Sequence, residues 1–76
     1  MDVTYRIDKD IIYIAVEGRI DASNAAEAEE KIFGIKNDNP GKHTVLDADK
    51  LEYISSAGLR VILRLRKEEP KLAIIN

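Results

Sequence analysis

The sequence has no cysteine and only one histidine, His43. Without cysteine the chain can form neither a disulfide nor a thiolate metal site, and this composition fits a reducing compartment. A single histidine cannot supply a histidine-rich metal cluster. The chain has 12 basic and 14 acidic residues and a net charge of −2, so the composition gives no electrostatic argument for a nucleic-acid ligand.

Long apolar runs are also missing. No run approaches the roughly 20 residues needed to span a bilayer. The first six residues, Met1 to Arg6, lack the basic segment and apolar core of a signal peptide. We therefore expect a soluble, cytoplasmic protein. With 76 residues, 45% of them apolar, it is expected to form a single domain over residues 1–76.

Four short segments have the composition of strands, and two longer ones have the periodicity of amphipathic helices. The predicted strands are 3–7, 11–16, 44–48 and 72–75. Residues 17–21 are expected to leave the sheet. The first helix follows Ser23 or Asn24, with Glu27 at capping-box spacing from Asn24, and ends between Gly34 and Asn37. The second helix is predicted over 58–67 and is stopped by Pro70.

This pattern predicts an α/β fold in which a four-stranded mixed sheet and two helices follow the order ββαβαβ. The polar turn after the first strand predicts an antiparallel hairpin. The two later crossovers predict parallel pairs and place both helices on one face of the sheet. Each helix has an apolar stripe for that face, comprising Ala25, Ala28, Ile32 and Ile35 in the first and Gly58, Val61, Ile62 and Leu65 in the second.

Two segments carry a family resemblance. Gly18-Arg19-Ile20-Asp21 precedes the first helix, and Leu51-Glu52-Tyr53-Ile54-Ser55-Ser56-Ala57-Gly58-Leu59-Arg60 leads into the second. The second segment resembles the signature loop of bacterial anti-sigma factor antagonists, which are STAS domains, and the order of elements is similar too. The resemblance implies a regulatory binding protein without enzymatic activity or cofactor. Its partner would be an anti-sigma factor that is also a serine kinase and that binds the ATP itself.

The resemblance also implies site residues. Ser56 matches the serine that the partner phosphorylates, Ser55 lies where many members carry Asp, and Asp21 falls on an acidic position of the family. The predicted partner-binding set is Asp21, Ser55, Ser56, Ala57, Gly58, Leu59 and Arg60. Unmodified protein would bind the anti-sigma factor and free the sigma factor, and phosphorylation of Ser56 would reverse this.

Members of the family usually continue with another helix after the fourth strand. The chain is expected to lack this C-terminal helix, so some of Leu72, Ile74 and Ile75 would lose cover. An apolar edge strand invites pairing with another chain, which predicts a homodimer through this strand, a domain swap or low stability.

Other interpretations stay open. A serine at a strand-to-helix junction can simply cap the helix. A STAS domain can also serve, without phosphorylation, as a regulatory or structural module of a transporter or signalling complex. Asp47 and Asp49 could ligate Mg²⁺ at a strand end, but Asp49 is expected in solvent. His43 is expected on a surface loop and not beside Ser56, which disfavours a hydrolase triad.

Overall fold

The computed structural model describes all residues from 1 to 76 and contains seven elements. The strands are β1 (Asp2–Asp8), β2 (Ile11–Ile20), β3 (His43–Asp47), β4 (Leu51–Ile54) and β5 (Ala73–Ile75), and the helices are α1 (Ala25–Asp38) and α2 (Ser56–Glu68). The predicted α/β class, with a mixed sheet and two helices, is confirmed. The predicted order omitted β4, so ββαβαβ is corrected to ββαββαβ.

The main path of the sheet runs β1-β2-β3-β5. β1 and β2 form the predicted antiparallel hairpin, with Val3 opposite Val16 and Ile7 opposite Ile12. β3 is parallel to β2, and β5 is parallel to β3, as the two crossovers require. β1 and β5 therefore form the edges of this path.

β2 does not leave the sheet after Val16, as the sequence suggested, but continues to Ile20 and pairs in parallel with β4. Gly18 lies opposite Leu51 and Ile20 opposite Ile54, with a register shift between Gly18 and Arg19. The shift leaves one extra residue, Glu52, in β4, which is the pattern of a β-bulge. Gly18 has a φ of +93°, a conformation that glycine adopts at little cost.

One hydrophobic core lies between the sheet and the two helices. Alternate residues of β2 are buried on this face, and the helices cover them. The core cluster has 11 members: Ile12, Ile14, Val16, Ile20, Ala25, Ala28, Ile32, Leu46, Val61, Leu65 and Leu72. The predicted helix stripes are confirmed, although Ile35 and Ile62 are only half-buried. Each large aliphatic side chain buried here contributes about 1.5–3 kcal/mol before entropic costs.

The C-terminal strand lies at an edge of the sheet and is poorly covered. Leu72 is buried just before β5, whereas Ile74 and Ile75 are 52% and 38% exposed. The predicted loss of cover therefore applies to the two isoleucines and not to Leu72. Neither helix has the length and apolar character that a membrane span requires.

Candidate functional site

The start of α2 is fastened to the end of β2 through Ser55. The Ser55 N–H donates to the Ile20 carbonyl at 2.8 Å, where β2 and β4 end together. Ser55 is the N-cap of α2, with extended φ and ψ of −84° and 175°. Its hydroxyl oxygen accepts the Gly58 N–H at 3.2 Å. The capping role expected of a serine at this junction therefore belongs to Ser55.

Ser56 is the first residue of α2 and is exposed. Its hydroxyl takes part in none of the side-chain hydrogen bonds of the chain. The first turn of α2 contains no acidic residue, so the positive end of the helix dipole is not offset by a carboxylate of that turn. Ser56 therefore presents a free hydroxyl at a position where an anion is electrostatically tolerated.

Gly58 brings α2 unusually close to the sheet. A Cβ at this position would lie 2.7 Å from Ile54 Cγ1 and 2.8 Å from Ile20 Cγ2, both inside van der Waals contact. Gly58 itself is buried. Only glycine allows this approach, which fixes the first turn of α2 on the ends of β2 and β4 and holds Ser56 outward.

Asp21 lies next to this junction, directly after Ile20, and its carboxylate is held by a local turn. It accepts the Ser23 N–H at 2.8 Å and the Ser23 hydroxyl. The hydroxyl bond, followed by the backbone bond, lowers the pKa of Asp21 below its ordinary value of 3.8, against a smaller opposing effect of desolvation. Asp21 therefore carries a full negative charge at neutral pH.

Asn24 occupies the N-cap of α1, one of the two predicted positions, but its side chain makes no bond to the helix. Its Oδ1 accepts the Asp21 N–H at 2.9 Å, and its Nδ2 donates to the Arg19 carbonyl at 2.9 Å. The capping box with Glu27 suggested by the sequence is therefore not formed. Asn24 instead holds the loop that carries Asp21.

A shallow cleft of about 270 Å³ lies between the first turns of the two helices, with Ala22 and Ala26 on one side and Ala57 and Arg60 on the other. Of the predicted partner-binding set, Ser56, Leu59 and Arg60 are exposed, and Asp21, Ser55 and Ala57 are half-buried. Leu59 is 50% exposed, a large fraction for a leucine. The structure thus brings the set together around one helix start, with Gly58 buried beneath it.

Sequence reasoning missed a stacked pair that flanks the same junction. Arg19 lies opposite Tyr53 in the parallel pairing of β2 with β4, and its guanidinium sits 4.4 Å from the centroid of the tyrosine ring. Tyr53 is 44% exposed. The pair could not be found while β4 was unrecognised, because only the β2–β4 register places these residues side by side.

The other residues singled out in the sequence lie elsewhere. His43 begins β3, at the opposite end of the sheet from Ser56, and its side chain is 64% exposed. The Asp47 carboxylate accepts the Asp49 N–H at 3.0 Å and an Asn76 amide, and these bonds lower its pKa. No group of three or more His, Cys, Asp or Glu side chains is arranged to hold a metal ion.

Comparison with known proteins agrees with this architecture. The family model of the STAS domain matches residues 2–74. The chain belongs to the STAS domain family. Over 58 residues this STAS domain is 34% identical to BtrV of Bordetella bronchiseptica, whose name describes an anti-sigma factor antagonist. The matched region covers 76% of this chain and 49% of BtrV, so the chain spans about half of that relative.

Solved structures share the fold. An anti-sigma factor antagonist from Mycobacterium paratuberculosis matches with a TM-score of 0.83 and 21% identity, over 96% of this chain and 64% of that one. The anti-sigma factor antagonist SpoIIAA, in its unphosphorylated form, matches with a TM-score of 0.72 and 16% identity, over 99% and 73%. At these identities the likeness concerns the fold alone.

Proposed function

We propose that this STAS domain is an anti-sigma factor antagonist that acts by binding and not by catalysis. Its unmodified form would bind, in the cytoplasm, an anti-sigma factor that is also a serine kinase, and phosphorylation of Ser56 would release it. Sigma-factor-dependent transcription would be regulated in this way. The name of BtrV supports the general role, and the two structural neighbours support the fold on which it is built.

The observation that carries the phosphorylation step is the different use of two adjacent serines. Ser55 is committed to the helix cap, whereas the Ser56 hydroxyl is exposed and without a partner. A kinase needs a hydroxyl that it can reach without unfolding its substrate. Only Ser56 meets that condition while the cap stays intact.

The effect of a phosphate follows from its charge. Phosphorylation adds about −1.5 to −2 charges at neutral pH. The helix N-terminus accommodates this charge, so the fold of the free protein is preserved. A partner docked over Ser56 and Leu59 would have to bury the same charge without a matched cation. Such burial costs several kcal/mol, and each 1.4 kcal/mol reduces affinity about tenfold.

Asp21 adds to the discrimination. It lies next to the junction, and its lowered pKa keeps it ionised. A partner that already faces this carboxylate meets a second, stronger negative group after phosphorylation. Burying the phosphate beside this carboxylate would place two like charges of the same chain in a desolvated interface, and their mutual repulsion would add to the cost of keeping the partner bound.

Two measurements test the proposal. The protein is incubated with ATP and anti-sigma factor kinases from its source organism, and the phosphosite is mapped. We expect labelling of wild type and of Ser55→Ala, and none of Ser56→Ala. Equal labelling of Ser56→Ala would contradict the assignment. Ser55→Ala is the matched control because it removes the neighbouring hydroxyl and leaves Ser56 in place.

Binding is measured with the anti-sigma factor kinase that phosphorylates the wild-type protein. Ser56→Asp should weaken binding by at least about tenfold, and Ser56→Ala should bind as wild type does, since a desolvated charge costs more than 1.4 kcal/mol. A partner that binds Ser56→Asp and wild type equally would instead favour a module of a transporter or signalling complex that works without phosphorylation.

A further inference from the structure

The two helices carry opposite charges. α1 contains four carboxylates and two lysines, whereas α2 contains four basic residues and one carboxylate. They pack against one another, and Arg64 of α2 forms an ion pair with Glu29 of α1. The helix layer therefore has an acidic flank beyond α1 and a basic flank beyond α2.

The acidic flank contains a groove between β1 and α1 with a volume of about 540 Å³. Val3, Tyr5 and Ile35 give it an apolar floor, and Tyr5 is 52% exposed. Four charged residues line its rim, and two of them, Glu27 and Lys31, form an ion pair at 3.6 Å. The other two, Glu30 and Asp38, form none, so the rim keeps an excess of negative charge.

The groove is open above Gly34. A Cβ built at Gly34 would have no heavy atom within 4 Å. We call this site, with its apolar floor and the unpaired carboxylates Glu30 and Asp38, the acidic groove. Its chemistry fits an apolar ridge bordered by positive charge.

The outer surface of α2 has this chemistry. Leu59 and Leu63 are four residues apart, so they lie on one line of the helix. They are 50% and 67% exposed. Arg66 follows Leu63 by three residues on the same line and has no ion-pair partner. We call Leu59, Leu63 and Arg66 the basic ridge.

We propose that the acidic groove of one molecule receives the basic ridge of a second copy of this chain. The leucines would cover the exposed tyrosine, and Arg66 would lie near the two unpaired carboxylates. The contact would repeat between molecules the acidic-to-basic helix packing that Glu29 and Arg64 make within one. A net charge of only −2 leaves little overall repulsion to oppose it.

The contact is heterologous, because groove and ridge are different surfaces of the chain. Copies would therefore add head to tail and would not close into a symmetric pair. The inference goes beyond the proposed function but shares Leu59 with the proposed partner surface. Self-association and partner binding would then compete for one helix.

Sedimentation equilibrium tests the contact with the whole chain. The weight-average mass of wild type should rise from 8.5 kDa with concentration, without a plateau at the dimer, and should fall back in high salt. Gly34→Lys fills the groove with a cation, and Leu63→Glu puts a negative charge on the ridge. Each variant alone should stay at 8.5 kDa.

An equimolar mixture of the two variants is the decisive sample. Gly34→Lys keeps an intact ridge and Leu63→Glu keeps an intact groove, so one contact survives. The mixture should form a one-to-one complex and nothing larger. Gly34→Ala, which leaves the groove open, should associate as wild type does, and circular dichroism confirms that each variant is folded.

Two results would overturn the proposal. One is a wild-type mass of 8.5 kDa at every concentration up to about 1 mM. The other is association that survives Leu63→Glu but is lost in Ile75→Glu, because this would assign the contact to the exposed C-terminal strand. If Gly34→Lys fails to fold, Glu30→Lys replaces it with the same expected loss.

Discussion

The two helices of this domain begin in opposite ways. Before α1, Asn24 turns its side chain back to the loop, and Glu27 places a carboxylate in the first turn. At α2, Ser55 caps the helix, and the first turn has no acidic residue. The polar side chain before α1 therefore forms its hydrogen bonds within the preceding loop. The serines at α2 leave a free hydroxyl and an uncompensated positive helix end.

The largest expected effect on stability comes from substituting one glycine in each helix. Gly58→Ala should destabilise the fold by about 1–3 kcal/mol, because its methyl group collides with Ile20 and Ile54 and this overpacking outweighs the better helix propensity of alanine. Urea denaturation measures the change in the free energy of unfolding.

Gly34→Ala is the matched control in α1. Its methyl group meets no atom, so alanine should stabilise the helix by up to about 1 kcal/mol. Equal effects of the two substitutions would mean that α2 does not depend on a close approach to the sheet.

The cap provides the next test. Ser55→Ala removes the acceptor of the Gly58 N–H and should cost about 1 kcal/mol of unfolding free energy. Ser56→Ala should stay within about 0.5 kcal/mol of wild type, since that hydroxyl has no partner. Chemical denaturation measures the free energy of unfolding of both variants. A larger loss in Ser56→Ala than in Ser55→Ala would contradict the assignment of the cap to Ser55.

A negative charge at Ser56 should be tolerated by the isolated domain. Ser56→Asp places a carboxylate in the first turn of α2, where the helix dipole contributes about 0.3–1 kcal/mol at low salt. We expect the thermal midpoint to be unchanged or slightly raised, and any gain to shrink as salt is added. A marked loss of stability would show that this helix end is less open than its exposure suggests.

The smallest effect concerns the loop before α1. Ser23→Ala removes the hydroxyl that chiefly lowers the pKa of Asp21, so that pKa should rise toward 3.8. A carboxyl group with a lowered pKa stabilises the folded state only while it is ionised. Asp21 therefore contributes its full stabilisation at pH values above its ordinary pKa of 3.8. This stabilisation is lost as the pH falls through 3.8 and below.

Carboxyl carbon NMR titration measures both aspartates in one experiment. Asp47 serves as the internal control, because its pKa is lowered by Asp49 and Asn76 and should not respond to Ser23→Ala. A shift of both groups would point to a general change in the fold.

The sequence predicted the elements whose composition or periodicity is typical of a strand or a helix. The strand at the centre of the sheet follows from a nearly continuous run of apolar and β-branched residues, and the stripes of both helices follow from apolar spacing. The class, the crossovers and the core could therefore be predicted. β4 could not. Leu51 and Ile54 both pack against the core but are three residues apart, because the bulge at Glu52 breaks the two-residue alternation of a strand.

The candidate site was also predicted only in part from the sequence. The position of the serine loop followed from the family resemblance, but which serine caps α2 depends on backbone geometry that neighbouring identical residues cannot reveal. Asn24 was assigned to a cap by its residue type and spacing, and tertiary contacts with Arg19 and Asp21 took its side chain instead. The sequence therefore placed Ser55 and Asn24 at the starts of the two helices, but it did not identify the hydrogen bonds of their side chains.

The close packing of Gly58 against Ile20 and Ile54 has a consequence for how a partner would detect a modification of Ser56. Because α2 contacts the sheet at Gly58 with no side chain in between, we expect its first turn neither to tilt nor to unwind. The domain would then keep one shape in both chemical states, and no refolding barrier would slow the change from one to the other. A partner would then distinguish the two states by the charge and volume of the phosphate alone, and not by a change of backbone.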